Sequence, residues 1–303
     1  PLTIGAGNLI YCGSKGRIHF FDLETGARRG RQKNSSGVQT GVIVVDSLAY
    51  LGVGPPRNRF VCLNLYNQRT IWTIPLKDVV GPPIIIEDRL YVGSDSGRVF
   101  CLSRLTGEIV WDHQAKAKSI AGPSYDDGIV YWPFEDGNFC AYEILEGKMV
   151  FQIDMKQPLV SKAAIGDRIY LADLGGGFSA LDKKTGRLIW QKEFPWPIWT
   201  SPSVDDSMVF VGDNGGFIRA LNKNDGHTMW EFKSDGVIIS SPVVVGNYLL
   251  IASLDRNIYC IEKRTGLLVS KRQMKHEVRY PAISDGRRIF LMAQDGTLQC
   301  FED

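Results

Sequence analysis

The sequence has no run of 18 or more apolar residues among its 303 positions, so no segment is long enough to cross a bilayer as a helix. Its 35 lysines and arginines nearly balance its 33 aspartates and glutamates, which leaves a formal net charge of +2. A nucleic-acid-binding domain usually carries a strong basic excess, so we predict no nucleic-acid partner. The chain opens with Pro1 rather than methionine, and we expect it to be excised from a longer chain.

Side chains that build metal, nucleotide and catalytic sites are few and scattered. No two histidines or cysteines stand at the spacing of metal ligands; the four histidines are His19, His113, His227 and His276. The six cysteines include no adjacent pair, and no Gly-x-x-x-x-Gly-Lys phosphate loop occurs. We therefore predict no cofactor, no metal site and no catalytic site.

What the chain does have is a repeat of about 40 residues. Each unit opens with a short apolar run that closes on a small residue. These residues are Gly13, Gly52, Gly93, Pro133, Ala172, Gly212, Ala252 and Ala293. The intervals between them are 39, 41, 40, 39, 40, 40 and 41 residues. Such regularity leaves no room for a second domain, so we predict one domain over residues 1–303.

Each unit contains four short apolar runs separated by turn residues, which is the pattern of four antiparallel strands. Both faces of such a sheet are apolar, and stacking copies around an axis covers them. The sequence therefore predicts an all-β fold, an eight-bladed β-propeller of four-stranded antiparallel blades. The last blade is incomplete, because residues 279–303 supply only three strands. We expect its fourth strand to come from residues upstream of Pro1.

An aromatic residue recurs four positions after the second hairpin of the unit, where the turn is often Thr-Gly. The residues at this place are Trp72, Trp111, Phe151, Trp190 and Trp230. We interpret them as packing wedges between neighbouring blades. Blades one and seven hold Gly30 and Ser270 there, so we expect their outer strands to be docked less firmly.

Another place of the repeat holds either alanine or cysteine. The cysteines are Cys62, Cys101, Cys260 and Cys300, and the alanines are Ala141, Ala180 and Ala220. Facing sheets pack about 10 Å apart, too far for a disulfide between equivalent positions. We predict six free, buried thiols, which favours a reducing compartment such as the cytoplasm.

The repeat resembles the pyrroloquinoline-quinone-type propeller repeat over the whole chain, in segments such as LYVGSDSGRVFCLSRLTGEIVW at residues 90–111. That family joins quinone-dependent dehydrogenases with BamB-like outer-membrane assembly factors and sensor domains. By this resemblance, a dehydrogenase of the family would carry an adjacent cysteine pair and a calcium site. This sequence shows neither. We therefore predict a member of the non-enzymatic, BamB-like branch. This resemblance also implies a periplasmic or membrane-anchored location, so the compartment stays open.

The predicted function is a protein-interaction scaffold or assembly factor whose partner is another protein, within a membrane-associated assembly by resemblance. The alternative is a binding domain for a small anionic ligand such as a quinone, in which Lys162 or Arg279 would serve. A quinoprotein dehydrogenase ranks third.

Three groups of residues in the connectors between blades are candidates for partner binding. Trp196 and Trp199 stand outside the structural places of the repeat, on a connector stiffened by two prolines. Tryptophan on a rigid loop is a common interface anchor, and the alternative is that both indoles fold back as a plug. The remaining candidates are Lys275, His276, Arg279 and Tyr280 in the last connector, and Lys116 and Lys118 in a basic connector suited to an acidic partner.

Overall fold

A computed structural model describes residues 2–12, 17–33, 37–67, 69–285 and 287–302 of the chain. Pro1, Gly13, Gln68 and the side chain of Cys12 lie outside the described residues. The described residues form 31 β-strands and no helix. Consequently they contain no helix of the length and apolar character that crossing a membrane requires. By Cα packing the chain divides into two compact units, residues 1–136 with 141–149 and residues 137–140 with 150–303.

The first unit contains three complete sheets. Their strands are β1 Leu2–Gly5, β2 Asn8–Cys12, β3 Arg17–Asp22 and β4 Arg28–Lys33; β5 Ile43–Val45, β6 Leu48–Val53, β7 Arg59–Asn64 and β8 Thr70–Ile74; and β9 Val79–Ile86, β10 Arg89–Ser94, β11 Arg98–Ser103 and β12 Ile109–Gln114. The fourth sheet consists of β13 Ser124–Asp126, β14 Ile129–Pro133, β15 Asn138–Glu143 and β16 Met149–Asp154.

The second unit contains the remaining four sheets. Their strands are β17 Ala164–Ile165, β18 Ile169–Ala172, β19 Gly177–Leu181 and β20 Leu188–Glu193; β21 Ser203–Val204, β22 Met208–Gly212, β23 Phe217–Asn222 and β24 Thr228–Lys233; β25 Val243–Val245, β26 Tyr248–Ala252, β27 Asn257–Glu262 and β28 Leu268–Gln273; and β29 Ile283–Ser284, β30 Arg288–Met292 and β31 Leu298–Glu302.

Strands follow one another in chain order within every sheet, and the paired strands run antiparallel. Seven sheets have four described strands and the last has three. Within each unit the apolar core lies between consecutive sheets; one cluster, for example, joins Phe178 of β19 to Val209 of β22. The prediction of an all-β, eight-bladed propeller of antiparallel blades is confirmed, and the last blade has three described strands.

In three blades the Thr-Gly turn is held by a carboxylate three residues before the threonine, from Asp22, Asp182 or Glu262. In the fifth sheet the Asp182 carboxylate accepts hydrogen bonds from the Thr185 hydroxyl at 2.7 Å and the Thr185 N–H at 2.9 Å. These bonds lower the pKa of Asp182. Gly186 follows with a φ of +70°, a conformation that glycine adopts without the steric cost of a Cβ atom.

Each indole of the outer strands packs against the hairpin glycine of the next sheet, as the wedge interpretation predicts. A Cβ atom on Gly226 would lie 2.7 Å from Cε3 of Trp190. The Trp190 Nε1–H also donates to the Lys223 carbonyl at 3.1 Å. The same pair of contacts links Trp230 to the next hairpin, with its Nε1–H donating to the Lys263 carbonyl at 2.9 Å.

The alanine-or-cysteine place is small because it lies directly opposite the wedge. Ala180 pairs with Trp190 across β19 and β20, and Cys101 pairs with Trp111 across β11 and β12. Cys62 and Cys101 are buried free thiols, as predicted. The prediction of burial is wrong at Cys260, which is only partly buried, and at Cys300, which is exposed. Cys300 is exposed because, among the described strands, its β31 forms the edge of the three-stranded sheet.

Candidate protein-docking site

Two half-exposed indoles stand on the connector between β20 and β21. Trp196 is 49% exposed and Trp199 is 51% exposed. We call residues 194–199 the indole connector. The alternative in which both indoles fold back as a plug does not fit these exposures, because about half of each residue faces solvent. A half-exposed tryptophan retains apolar area that a partner can still cover.

The path of the indole connector is fixed by backbone hydrogen bonds to turns of its own and the following sheet. The Phe194 N–H donates to the Gly176 carbonyl at 2.9 Å, and the Ile198 N–H donates to the Asp173 carbonyl at 3.1 Å. The Asn214 N–H donates to the Pro197 carbonyl at 2.9 Å. Ile198 itself is fully buried, so it anchors the connector between the two exposed indoles.

Trp196 rests on a glycine of the next sheet. A Cβ atom on Gly215 would lie 2.2 Å from Cδ1 of Trp196, a separation that no real side chain tolerates. Glycine at this position therefore provides a flat backbone platform for the indole. The indole packs against this platform while Trp196 stays 49% exposed.

A buried ionic network supports the beginning of the connector. The Arg219 guanidinium lies 4.2 Å from the ring centroid of Phe194, a cation–π distance. Arg219 is only 4% exposed; its Nη1 is 2.5 Å from Asp213 Oδ2 and its Nε is 2.6 Å from Glu231 Oε2. Two carboxylates thus neutralise the cation, as burial of a charge requires.

Sequence reasoning missed this support. The turns beneath the connector depend on aspartates: the Asp173 carboxylate accepts the N–H groups of Gly175 and Gly177, both at 2.8 Å. Burial raises the pKa of Asp173. The available signal was the sequence Asp-x-Gly-Gly, which occurs at 173–176 and again at 213–216.

In the last connector, between β28 and β29, some of the predicted residues are exposed and others lie beside carboxylates. Lys275 is exposed and Tyr280 is 46% exposed. Arg279 is paired with Glu277, with Nη2 2.8 Å from Oε2, and His276 Nε2 lies 3.2 Å from Asp295 Oδ2. Two of the four side chains therefore face a carboxylate neighbour.

Lys116 and Lys118 belong to the first unit, whereas the other six predicted residues belong to the second. Lys116 is exposed. The Lys118 ammonium lies 3.4 Å from Glu135 Oε1 and 3.7 Å from Asp95 Oδ1. Two carboxylates thus offset its charge, which weakens the contribution expected of it toward an acidic partner.

The indole connector presents side chains suited to binding. No group of three or more His, Cys, Asp or Glu side chains that could hold a metal ion occurs within the described ranges. The residues also do not fit a quinone held beside adjacent cysteines, since the sequence has no such pair. Apolar rings on a fixed connector, flanked by polar side chains, are instead the elements of a protein interface.

Comparison with known proteins gives one family and one fold. The family model described as outer membrane protein assembly factor BamB matches residues 78–164, 155–237 and 216–303, more than half of the chain. The protein of that name from Taylorella asinigenitalis is 25% identical over 151 residues, which cover 45% of this chain and 39% of the relative. The chain thus matches less than two thirds of that relative's length.

Among solved structures, BamB from Moraxella catarrhalis superposes with a TM-score of 0.87 at 19% identity, over 100% of this chain and 96% of that one. A europium-containing methanol dehydrogenase superposes with a TM-score of 0.82 at 12% identity, over 99% and 81%. At these identities both likenesses show the propeller fold alone. The family model, by contrast, matches the sequence itself, and the chain therefore belongs to the pyrroloquinoline-quinone-repeat family described as outer membrane protein assembly factor BamB.

Proposed function

We propose that this chain is the protein-interaction module of an outer-membrane assembly factor, and that its partner docks on the indole connector. The observation that carries the proposal is the pair of half-exposed indoles at Trp196 and Trp199 on a backbone fixed from both sides. The name shared by the family model and the matched relative supports an assembly role rather than an enzymatic one.

Rigidity is the reason for placing the partner here. A loop that must be ordered on binding loses affinity through conformational entropy, and a pre-ordered loop avoids that cost. Ile198 and the Gly215 platform hold the indoles before any partner arrives. Tryptophan residues in this situation are frequent hot spots, each contributing about 2 kcal/mol or more to binding.

Polar residues complete the proposed interface. Lys275, His276, Arg279 and Tyr280 would form part of its rim, where paired charges contribute more to orientation than to affinity. Lys116 and Lys118 lie in the first unit and stay a separate candidate for attracting an acidic partner, with the exposed Lys116 as the stronger of the two. The proposed partner is a protein, and no nucleic acid is involved.

Site-specific crosslinking tests the location. A photo-reactive benzoylphenylalanine at position 199 should crosslink to an outer-membrane assembly protein when the full-length protein is irradiated in an outer-membrane fraction. The matched control is the same residue at Tyr66, an aromatic position that is 82% exposed in the first unit. Identical crosslinks from both positions, or none from position 199, would overturn the assignment.

Affinity for the crosslinked partner tests the energetics. Trp196→Ala and Trp199→Ala should each weaken binding about 30-fold, which corresponds to roughly 2 kcal/mol. Met229→Ala serves as control, because Met229 is an apolar residue of similar exposure, 54%, on β24. Circular dichroism verifies that each variant is folded, and unchanged affinity in both tryptophan variants would refute the site.

A further inference from the structure

The fifth and sixth sheets share one strand register, but the sixth contains an arginine where the fifth has a serine. Arg219 of β23 lies opposite Glu231 of β24. Ser179 of β19 lies opposite Gln191 of β20 at the equivalent place. The sixth sheet therefore shows what an arginine binds at this place, and the fifth shows the same place without that arginine.

The Arg219 guanidinium has three partners in the sixth sheet and its connector. Its Nη1 is 2.5 Å from Asp213 Oδ2, its Nε is 2.6 Å from Glu231 Oε2, and its central carbon lies 4.2 Å from the ring centroid of Phe194. The equivalents of these three partners in the fifth sheet and its preceding connector are Asp173, Gln191 and Met155. Two acceptors and an apolar neighbour are thus present in the fifth sheet as well, although glutamine replaces one carboxylate.

Two buried polar groups at this place of the fifth sheet lack the partner that an arginine would give them. Ser179 is 1% exposed, and its Oγ has no hydrogen-bond partner among the described residues. Asp173 is 3% exposed, and burial raises the pKa of its carboxyl. Its carboxylate accepts backbone N–H groups but has no basic side chain beside it in the described ranges. Burying a carboxylate without a counter-charge is costly.

A groove of about 560 Å³ lies beside Asp173, between the outer strands β16 and β20. We call it the β16–β20 groove. Its walls include Met155, Gln191 and Glu193. Gln191 Nε2 donates to Glu193 Oε1 at 2.8 Å, which leaves the amide oxygen of Gln191 as an acceptor. The groove therefore contains the equivalents of all three partners of Arg219.

Two basic side chains line the β16–β20 groove, and neither is placed beside Asp173. The Lys156 ammonium lies 2.6 Å from Asp154 Oδ2, and the Lys156 side chain is 79% exposed. Arg187 is exposed and precedes β20, whereas Glu193 ends that strand. With Asp154 paired, the carboxylates of Asp173 and Glu193 can meet a cation from outside the chain.

We propose that the β16–β20 groove binds the guanidinium group of an arginine side chain presented by a partner protein. The planar fork of a guanidinium matches two acceptors at once, as Arg219 does in the sixth sheet. In the groove Asp173 supplies the buried charge and Gln191 the second acceptor, while Met155 packs against the aliphatic stem. Leu188, on the wall of the groove, is 56% exposed, so a polypeptide can reach the site. The proposal does not depend on the indole connector, and either can fail without the other.

Small probes test this chemistry on the whole chain. N-acetylarginine amide should raise the melting temperature in a saturable way at constant ionic strength. N-acetylcitrulline amide has nearly the same shape without the charge and should give no such rise. The acetylated tripeptide Gly-Arg-Gly amide should bind at least as tightly as the single residue, because the arginine is expected to come from a polypeptide. A missing response to the arginine probe, an equal response to citrulline, or exclusion of the tripeptide would overturn the proposal.

A variant that supplies the arginine from within the chain tests the location. Ser179→Arg copies the sixth sheet, so its own guanidinium should occupy the groove and abolish the response to N-acetylarginine amide. Ser179→Ala removes only the hydroxyl and should respond like the native protein. Circular dichroism verifies that both variants are folded. A folded Ser179→Arg variant that still binds the probe would show that the site lies elsewhere.

A charge-neutral variant keeps the test independent of the added arginine. Asp173→Asn retains an oxygen for the backbone N–H groups of the turn and should weaken binding of the arginine probe about tenfold or more, since a charge-assisted hydrogen bond is lost. The control Asp225→Asn changes an exposed aspartate that accepts the His227 N–H at 2.9 Å, and it should retain the full response. Equal affinities in the two asparagine variants would refute the role of Asp173.

Discussion

At the scale of single residues, five of the hairpin glycines perform two tasks at once. Each adopts a positive φ, and each accepts the indole or phenyl ring of the preceding sheet against its Cα atom. The second task is invisible in a single repeat, because the ring and the glycine that it covers belong to different repeats. It explains why these turns hold glycine rather than another residue tolerant of positive φ.

Replacing two glycines separates the two tasks. Gly226→Ala should reduce the free energy of unfolding by about 3 kcal/mol, since the methyl group meets Trp190 and the backbone is left-handed. Gly246→Ala is the control: its φ is +55° and nothing lies within 4 Å of the added atom, so about 1 kcal/mol is expected. Urea unfolding measures both values, and equal losses would show that the indole contact contributes nothing.

Lys162 should give the free energy of unfolding an unusual pH dependence. Its pKa is about 8 in the folded protein against 10.5 for an unperturbed lysine, so between these values the unfolded chain binds more protons. Stability attributable to this residue should therefore rise with pH from 8 to 10.5, by roughly 3 kcal/mol. Below pH 8 both states are protonated and the contribution is constant.

The measurement is the difference in unfolding free energy between the native protein and Lys162→Met at pH 7, 8.5 and 10. Subtraction removes the titration of other lysines and tyrosines. The native protein should gain on the variant as the pH rises. A difference that stays constant across this range would contradict the predicted shift.

At the scale of elements, the outer strands differ in how they are docked, and the absence of an aromatic explains the difference. A cavity of about 210 Å³ lies beside Gly30, and one of about 270 Å³ lies beside Ser270. Every residue of β28, which contains Ser270, is exposed. The expectation that these two outer strands are docked less firmly is thus supported by empty space at both places.

Filling the second cavity should stabilise the protein. Ser270→Leu places an aliphatic side chain among Leu250, Ile258, Ile289 and Leu291, which line the cavity. We expect a gain of about 1 kcal/mol, the usual result of filling a cavity without strain. The control is Val269→Leu, one residue away at a position that is 52% exposed. If both variants gain equally in thermal denaturation, the cavity is not the cause.

The fold was predictable from sequence because its information is periodic: one interval of 40 residues defines each blade, and each wedge recurs in register. The proposed docking site could be predicted only in part. Trp196 and Trp199 stood out because they break the repeat. Their rigid placement depends on Gly215 and the Asp173 carbonyl, groups that the fold brings to the connector from other elements.

At the scale of the whole molecule, we propose that residues 1–303 unfold as one domain although they pack as two units. The repeat continues without interruption through residues 133–172, the region in which the units are divided. Tryptophans report on each unit separately: the first contains Trp72, Trp111 and Trp132, and the second contains Trp190, Trp196, Trp199 and Trp230.

Variants that retain the indoles of only one unit should show the same denaturation midpoint as variants that retain those of the other. Each indole removed is replaced by phenylalanine, the residue that the chain itself uses at Phe151. The midpoints are compared within this matched set, so that the destabilisation of each variant can be subtracted. Two midpoints that stay apart after that subtraction would show that the units unfold independently.

The contact between a wedge and the glycine after it also sets rules for how such a chain can gain or exchange repeats. A repeat that ends in an aromatic wedge can be followed only by a repeat whose turn leaves room for the ring, and five of the repeats meet that condition through a glycine at the turn. The repeat with Gly30 is followed by one with Gln68 at the glycine place, so the small residue and the large one occur together. Duplicating a repeat that carries both the tryptophan and the glycine preserves every such junction. Repeats of this chain can therefore be duplicated or exchanged only where their junctions, as well as their folds, are compatible.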